Sequence, residues 1–181
     1  MQFKVFDSFD KNFYESDIID ILTLADKDFV PPLSQRISTL DKSFLTNSSS
    51  RSIYSYYTEM KKQEILGAFD NGKLIGFVSY RLDFVNDIIT ENELPNIYVS
   101  TLVLSEDARG HGLTKRMYSY LFDELYPERS VFTRTWSTNF AHTKILSSFG
   151  FSEILRKEND RGAGVDTVYY KRKRAKALIE V

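Results

Sequence analysis

The sequence predicts an α/β fold of the α+β type, a mixed and mostly antiparallel sheet of about seven strands flanked by helices. Three observations carry that expectation. Residues 65–69 and 74–80 are apolar runs joined by Asp70-Asn71-Gly72-Lys73, a hairpin signal. Residues 97–104 are strand-like, and Leu113, Met117, Leu121 and Leu125 then recur as one side of a helix. Residues 151–156 and 167–170 form a second antiparallel pair across a turn at Arg161-Gly162-Ala163-Gly164.

The remaining elements follow in order. Phe3 and Val5 alternate with polar neighbours until Asp7, which predicts a short strand over residues 1–6. Ile18, Ile19, Ile21, Leu22 and Leu24 give a helix one apolar side. Val30-Pro31-Pro32 ends it, because proline cannot continue a helix. Residues 33–46 are a further helical candidate, Asn47-Ser48-Ser49-Ser50 is a polar loop, and residues 53–62 form a helix or one turn of it. Residues 83–95 are an acidic connection, and residues 131–136 are a strand. Ser137 or Thr138 can cap a helix starting near Asn139. Ile145, Leu146 and Phe149 give that helix its buried side, and Gly150 can end it in the left-handed conformation. The expected unit is a single domain over residues 1–181 with an extended tail over 173–181.

Composition narrows the function classes. The chain has 181 residues and a formal net charge of -1, so charge gives no case for nucleic acid or an anionic membrane as partner. It contains no cysteine, which excludes disulfides, thiolate metal sites and a cysteine nucleophile. No metal site is expected. The first residues hold no apolar signal core, and no apolar run reaches the roughly 18 residues a membrane span needs. The expected setting is the cytoplasm. Lys171-Arg172-Lys173-Arg174 is a basic run best read as a solvated tail. Ala177, Leu178, Ile179 and Val181 can dock on the domain or on a second subunit, which leaves a homodimer open.

One stretch speaks directly about chemistry. Leu102-Val103-Leu104 leads into Ser105-Glu106-Asp107-Ala108-Arg109-Gly110-His111-Gly112 and then the helix from Leu113. The first N–H groups of a helix have no internal partner, and the helix dipole adds partial positive charge there. Gly110 and Gly112 let an anion approach the backbone, and Arg109 adds a cation with a fork of donors. This is a candidate phosphate cradle. Lys115 and Arg116 oppose the dipole in the first helical turn, a conflict that a bound anion removes.

The hairpin 70–77, the loop 102–112, and Asn139 with Gly150-Phe151 downstream resemble, in order and spacing, the GNAT superfamily of N-acetyltransferases. The resemblance runs from about residue 65 to 171 and is topological before that. The family pattern is Gln or Arg, two residues, Gly, one residue, then Gly or Ala. From Arg109, Gly112 matches and Thr114 stands last; from Asp107, Gly110 and Gly112 match behind an acidic first position. The resemblance implies a sheet splayed between strands 4 and 5, with acetyl-CoA or another acyl-CoA bound there. It implies that main-chain groups of Leu102, Val103 and Leu104 pair with pantetheine. Arg109, Gly110, His111, Gly112, Leu113, Thr114 and Lys115 would surround the phosphates, and Asn139 would hydrogen-bond the cofactor or cap its helix. The expected activity is transfer of an acetyl group to a primary amine of a small molecule or peptide. The alternative is an acyl-CoA-binding domain with little or no catalysis.

The departures from the family concern proton handling. Leu146 stands where many members carry a tyrosine that serves as general acid. Asn96 stands where one catalytic glutamate falls, and Glu93, three residues earlier, is a candidate base. His142 occupies a position that is usually small; it is either a proton-transfer group or a packed residue at the helix start. Trp136, Tyr80, Tyr98, Tyr169 and Tyr170 can line an acceptor pocket but are expected in the core.

Overall fold

The computed structural model describes residues 1–36 and 52–174. It contains seven strands in one sheet of order β1-β2-β3-β4-β5-β7-β6. These are β1 (Gln2–Val5), β2 (Glu64–Asp70), β3 (Lys73–Leu82), β4 (Asn96–Leu104), β5 (Ser130–Trp136), β6 (Ser152–Lys157) and β7 (Thr167–Arg172). The helices are α1 (Ser8–Phe13), α2 (Glu15–Ala25), α3 (Ile53–Met60), α4 (Leu113–Ser119) and α5 (Phe140–Ser148). The expected fold class and strand number hold. The described chain clusters into two compact units, residues 1–80 with 100–117, and residues 81–99 with 118–174.

In the first unit, β1 runs antiparallel to β2, and β2 to β3. The turn between β2 and β3 puts Asn71 at φ 48° and Gly72 at φ 81°, both left-handed as a two-residue hairpin requires. The apolar side of α2 buries Ile18 and Leu22 with Leu33, Tyr56, Met60 and Phe77. Helix α1 was not foreseen. Its apolar residues Phe9 and Phe13 are exposed, so it lacks a core-facing pattern. It is fixed instead by a reciprocal cap, in which Asp7 accepts from the Asp10 N–H (2.8 Å) and Asp10 accepts from the Asp7 N–H (3.2 Å). Of the helix expected over 33–46, the described part is one short 3₁₀ turn, Leu33–Gln35; residues 37–46 and the polar loop 47–50 lie outside the described residues.

Gly76 on β3 is a close-approach position. A Cβ there would stand 2.5 Å from Leu104 Cδ2 and 2.9 Å from the Val103 carbonyl oxygen. The missing side chain lets the last turn of β4 lie against β3, and the Ser105 N–H then donates to the Ile75 carbonyl (2.9 Å). This sets where the chain leaves the strand for the 106–112 loop.

In the second unit, β4 pairs in parallel with β5 from Asn96↔Ser130 to Val99↔Thr133. The Thr133 hydroxyl donates to the Val99 carbonyl (3.0 Å). Strand β5 is antiparallel to β7, and β7 to β6. The helix that begins as α4 does not stay α-helical. Tyr120–Leu125 is a π-helical stretch, ending with Tyr126 N–H donating to the Leu121 carbonyl (3.2 Å). The four-residue apolar repeat predicted an α-helix throughout; Leu121 and Phe122 are buried within the wider turn. The cap of α5 is Asn139 itself, not Ser137 or Thr138. Gly150 follows α5 at φ 75°, as expected.

Candidate active site

The cradle is built in the first unit. Strand β4 ends at Leu104, a 3₁₀ turn spans Glu106–Ala108, and Gly110 (φ 78°) and Gly112 (φ 73°) bracket His111 in left-handed backbone. A Cβ on either glycine meets nothing within 4 Å. The glycines are therefore required by conformation, and the space beside them is open. The backbone N–H groups of residues 110–115 make no hydrogen bond among the described residues; the first intrahelical bond is Arg116 N–H to the Gly112 carbonyl (3.2 Å). Six consecutive donors are thus left open beside two glycines, two more than a helix start alone leaves open. Leu113, buried, anchors the helix start, while His111 and Lys115 are exposed.

Arg109 has partners of its own. Its guanidinium pairs with Asp28 (2.7 Å), and its Nε donates to the Leu104 carbonyl (3.3 Å). Arg116 lies over the Phe3 ring, 5.9 Å from its centroid. Leu102 is half-buried, whereas Thr101 and Val103 on the other side of β4 are buried. The Thr101 hydroxyl meets the Tyr56 hydroxyl (2.6 Å). The Ser100 hydroxyl reaches the Gln63 side-chain oxygen and the Ser79 hydroxyl, so one side of β4 is fixed by a buried polar network. A cavity of about 510 Å³ lined by Phe3, Tyr14, Phe69 and Gly72 contains none of the predicted site residues.

The residues considered for proton transfer, Glu93 and His142, lie in the second unit. Asn139 Oδ1 accepts from the His142 N–H (3.2 Å), and its Nδ2 donates to Thr135 Oγ1 (3.1 Å). It caps α5 and ties it to β5. His142 Nε2 lies 2.8 Å from the hydroxyl of Tyr118, which is fully buried between Phe122 and Phe149. Burial lowers the His142 pKa to about 4 and pushes the Tyr118 phenol up. Both are neutral at pH 7. Leu146 is wholly buried, so the usual tyrosine position is a core position here.

Asn96 is also structural. Its Oδ1 accepts from the Phe84 N–H (2.9 Å) and its Nδ2 donates to the Phe84 carbonyl (3.0 Å), copying a strand partner. Arg129 donates to the Asn96 carbonyl (3.2 Å) and pairs with Asp83 (2.5 Å). Glu93 forms an ion pair with Lys171, whose ammonium sits 5.4 Å from the Phe132 ring centroid. Arg172 pairs with Asp123 (2.7 Å) and lies over Phe122. Half of the basic run is therefore engaged on β7 rather than solvated; Ala177 to Val181 lie outside the described residues. Tyr80, Tyr98 and Tyr169 are buried, as expected of core aromatics. Among the described residues, no cluster of His, Asp and Glu is placed to hold a metal ion, and no helix is long and apolar enough to cross a membrane.

Sequence reasoning missed Tyr118, Gly76 and Asp28. Tyr118 stands next to Met117 of the apolar repeat and carries no local signal of its own. Its polar tip pairs with a residue 24 positions away, a pairing no local pattern carries.

A mixed seven-stranded sheet with a parallel β4–β5 pair, and an open, glycine-bracketed start of α4, are the architecture of an acyltransferase domain. The family model described as Acetyltransferase (GNAT) family matches residues 34–151, and the chain belongs to that family. No curated protein matches it in sequence. The solved ribosomal-protein-alanine N-acetyltransferase from Brucella melitensis is similar in fold, at TM-score 0.65 and 12% identity over 96% of this chain and 99% of that one. An acetyltransferase from Acinetobacter baylyi gives TM-score 0.66 and 19% identity over 95% and 93%. The yncA protein from Salmonella typhimurium, solved with its cofactor acetyl-CoA, gives TM-score 0.62 and 15% identity over 100% and 99%.

Proposed function

We propose that the protein moves an acetyl group from acetyl-CoA directly to a primary amine of a small molecule or peptide. Acyl transfer with acyl-CoA as cosubstrate is the coarse activity of its family. The observation that carries the reading is the set of unpartnered N–H groups over residues 110–115, with open space beside Gly110 and Gly112. That donor set fits a pyrophosphate, which presents acceptor oxygens and negative charge. Arg109, His111, Thr114 and Lys115 would stand around the phosphates. Main-chain groups of Leu102, Val103 and Leu104 would pair with the pantetheine arm, and Asn139 would keep its cap while steadying the β5–α5 corner.

Bound acetyl-CoA supplies a thioester; the amine nitrogen forms the C–N bond, the C–S bond breaks with its pair on sulfur, and the proton released by the amine balances the thiolate. Much of the rate comes from holding the two reactants together. Glu93 serves as base only once it leaves Lys171. On this reading the chain acts as one domain, residues 1–181, in the cytoplasm.

A second reading, an acyl-CoA-binding domain with little catalysis, draws on the buried Leu146 and the engaged Glu93. The deciding experiment combines thermal stabilisation by CoA with turnover of acetyl-CoA against a panel of amines. Stabilisation with turnover supports the enzyme, and stabilisation without turnover supports the binding domain. No stabilisation at millimolar CoA overturns both.

A further inference from the structure

The open cavity of about 510 Å³ lies wholly within the first unit. Three consecutive residues of β1, Gln2, Phe3 and Lys4, line it with Tyr14, Phe69 and Gly72. None of them belongs to the 102–116 stretch. Strand β1 is the outermost of the sheet, and Gln2 stands opposite Phe69 of β2. Alternation along the strand puts Lys4 and Phe6 on the same side as Gln2. Tyr14, between α1 and α2, packs onto that side through Phe6 and Phe69.

The aromatic wall of the cavity is set before any ligand arrives. The Tyr14 ring stacks on Phe6 at 5.3 Å between centroids, tilts against Phe69 at 5.1 Å and meets Phe13 edge-on at 4.8 Å. Phe6 and Phe69 are buried, so they fix the ring of Tyr14 in place. A flat ring entering the cavity gains aromatic contact while the protein gives up little freedom.

The polar lining has donors to spare. The Lys4 ammonium carries three N–H groups and gives one to Asp10 (2.6 Å). Asp10 is nearly sealed and already used, one oxygen accepting from Lys4 and the other from the Asp7 N–H (3.2 Å). The hydroxyl of half-buried Tyr14 makes no hydrogen bond among the described residues. Two lysine N–H groups and a phenol are therefore left for the oxygen atoms of a ligand.

We propose that this cavity is a binding site for a small planar aromatic carboxylate. The ring lies against Tyr14 and Phe69, and the carboxylate accepts from Lys4 and from the Tyr14 hydroxyl. An anionic head group matches the site because its uncommitted groups are donors and the acid beside Lys4 is already paired. The volume is that of an ordinary small-molecule site and admits one or two fused rings. The site is independent of the acyl-CoA reading, since it shares no residue with the 110–115 donors.

The test titrates the full chain, labelled with ¹⁵N, with 2-naphthoate at pH 7 and follows the backbone amides. Saturable shifts are expected at Lys4, Tyr14, Phe69 and Gly72, with a Kd of roughly 0.1–1 mM. Naphthalene-2-carboxamide, the same ring without the charge, should bind at least about fivefold more weakly. Lys4→Met should cost a similar factor, and Lys4→Arg should restore it. Because Lys4 also pairs with Asp10, Tyr14→Phe provides a second variant that keeps the ring packing; it should weaken binding about twofold to threefold. No saturable shift by about 10 mM overturns the site. Equal binding of carboxylate and carboxamide overturns the anionic ligand class. Shifts confined to residues 110–115 would assign the probe to the α4 start and overturn the cavity as its site.

Discussion

The starts of α4 and α5 make opposite use of the same physics. At α5, the Asn139 side chain accepts from the His142 N–H and the Asn139 carbonyl accepts from Thr143, so the helix start is closed by its own residues. At α4, two glycines in left-handed backbone replace any capping side chain, and the donors of residues 110–115 stay open. A closed start is structural and orients what it carries, here His142. An open start leaves its donors to water or to a ligand.

The largest expected effect comes from closing the open start. Gly112→Asp adds a carboxylate where phosphates would sit and strains a backbone at φ 73°, so CoA affinity should fall roughly 100-fold or more by calorimetry. Unchanged affinity would show that the α4 start is not the anion site. Gly76→Val should come next. Its Cβ would stand 2.5 Å from Leu104, costing ~1–3 kcal/mol in urea unfolding and weakening CoA binding by displacing the loop. A neutral result would mean that β4 does not need this close approach.

The closed start makes a pH prediction. In the folded protein the His142 pKa is lowered from 6.5 to about 4 by desolvation, with Tyr118 the titratable group against it. Between those values the unfolded chain binds a proton that the folded protein refuses. Stability should therefore fall as pH drops from 6.5 toward 4, with a slope of about one proton that His142→Gln removes. A flat profile for this difference would place His142 in water. Asn139→Ala should cost about 1 kcal/mol of stability through the lost cap, measured by denaturant titration. The smallest effect belongs to Asp28→Asn. Its exposed ion pair with Arg109 contributes little to stability, and releasing the guanidinium should raise CoA affinity by no more than about fivefold. A loss of affinity would instead assign Asp28 to holding Arg109 in place for the phosphates.

How much of this was legible in the sequence depended on range. The β2–β3 hairpin, the strand before the cradle and Gly150 after α5 are local signals, and each lies where its residues said. The backbone of the 110–112 loop was legible because glycine spacing and a helix start are both local. The catalytic positions were not. Glu93 is neutralised by Lys171, 78 residues away, and Asn96 answers the backbone of Phe84 across a turn. Helix α1 escaped because Asp7 and Asp10 cap each other around an exposed aromatic pair, with no apolar periodicity to reveal it. The π stretch escaped because a four-residue repeat of leucines fits a three-turn α-helix equally well.

That stretch has a further consequence. Each π-type ring encloses one residue more than an α-type ring, so Tyr120–Leu125 behaves as a built-in insertion. Removing one residue there would let α geometry run unbroken and would carry Phe122 about 100° round the axis. Phe122 would turn away from Phe149 and Phe151, which now meet it at centroid distances of 6.2 and 5.9 Å.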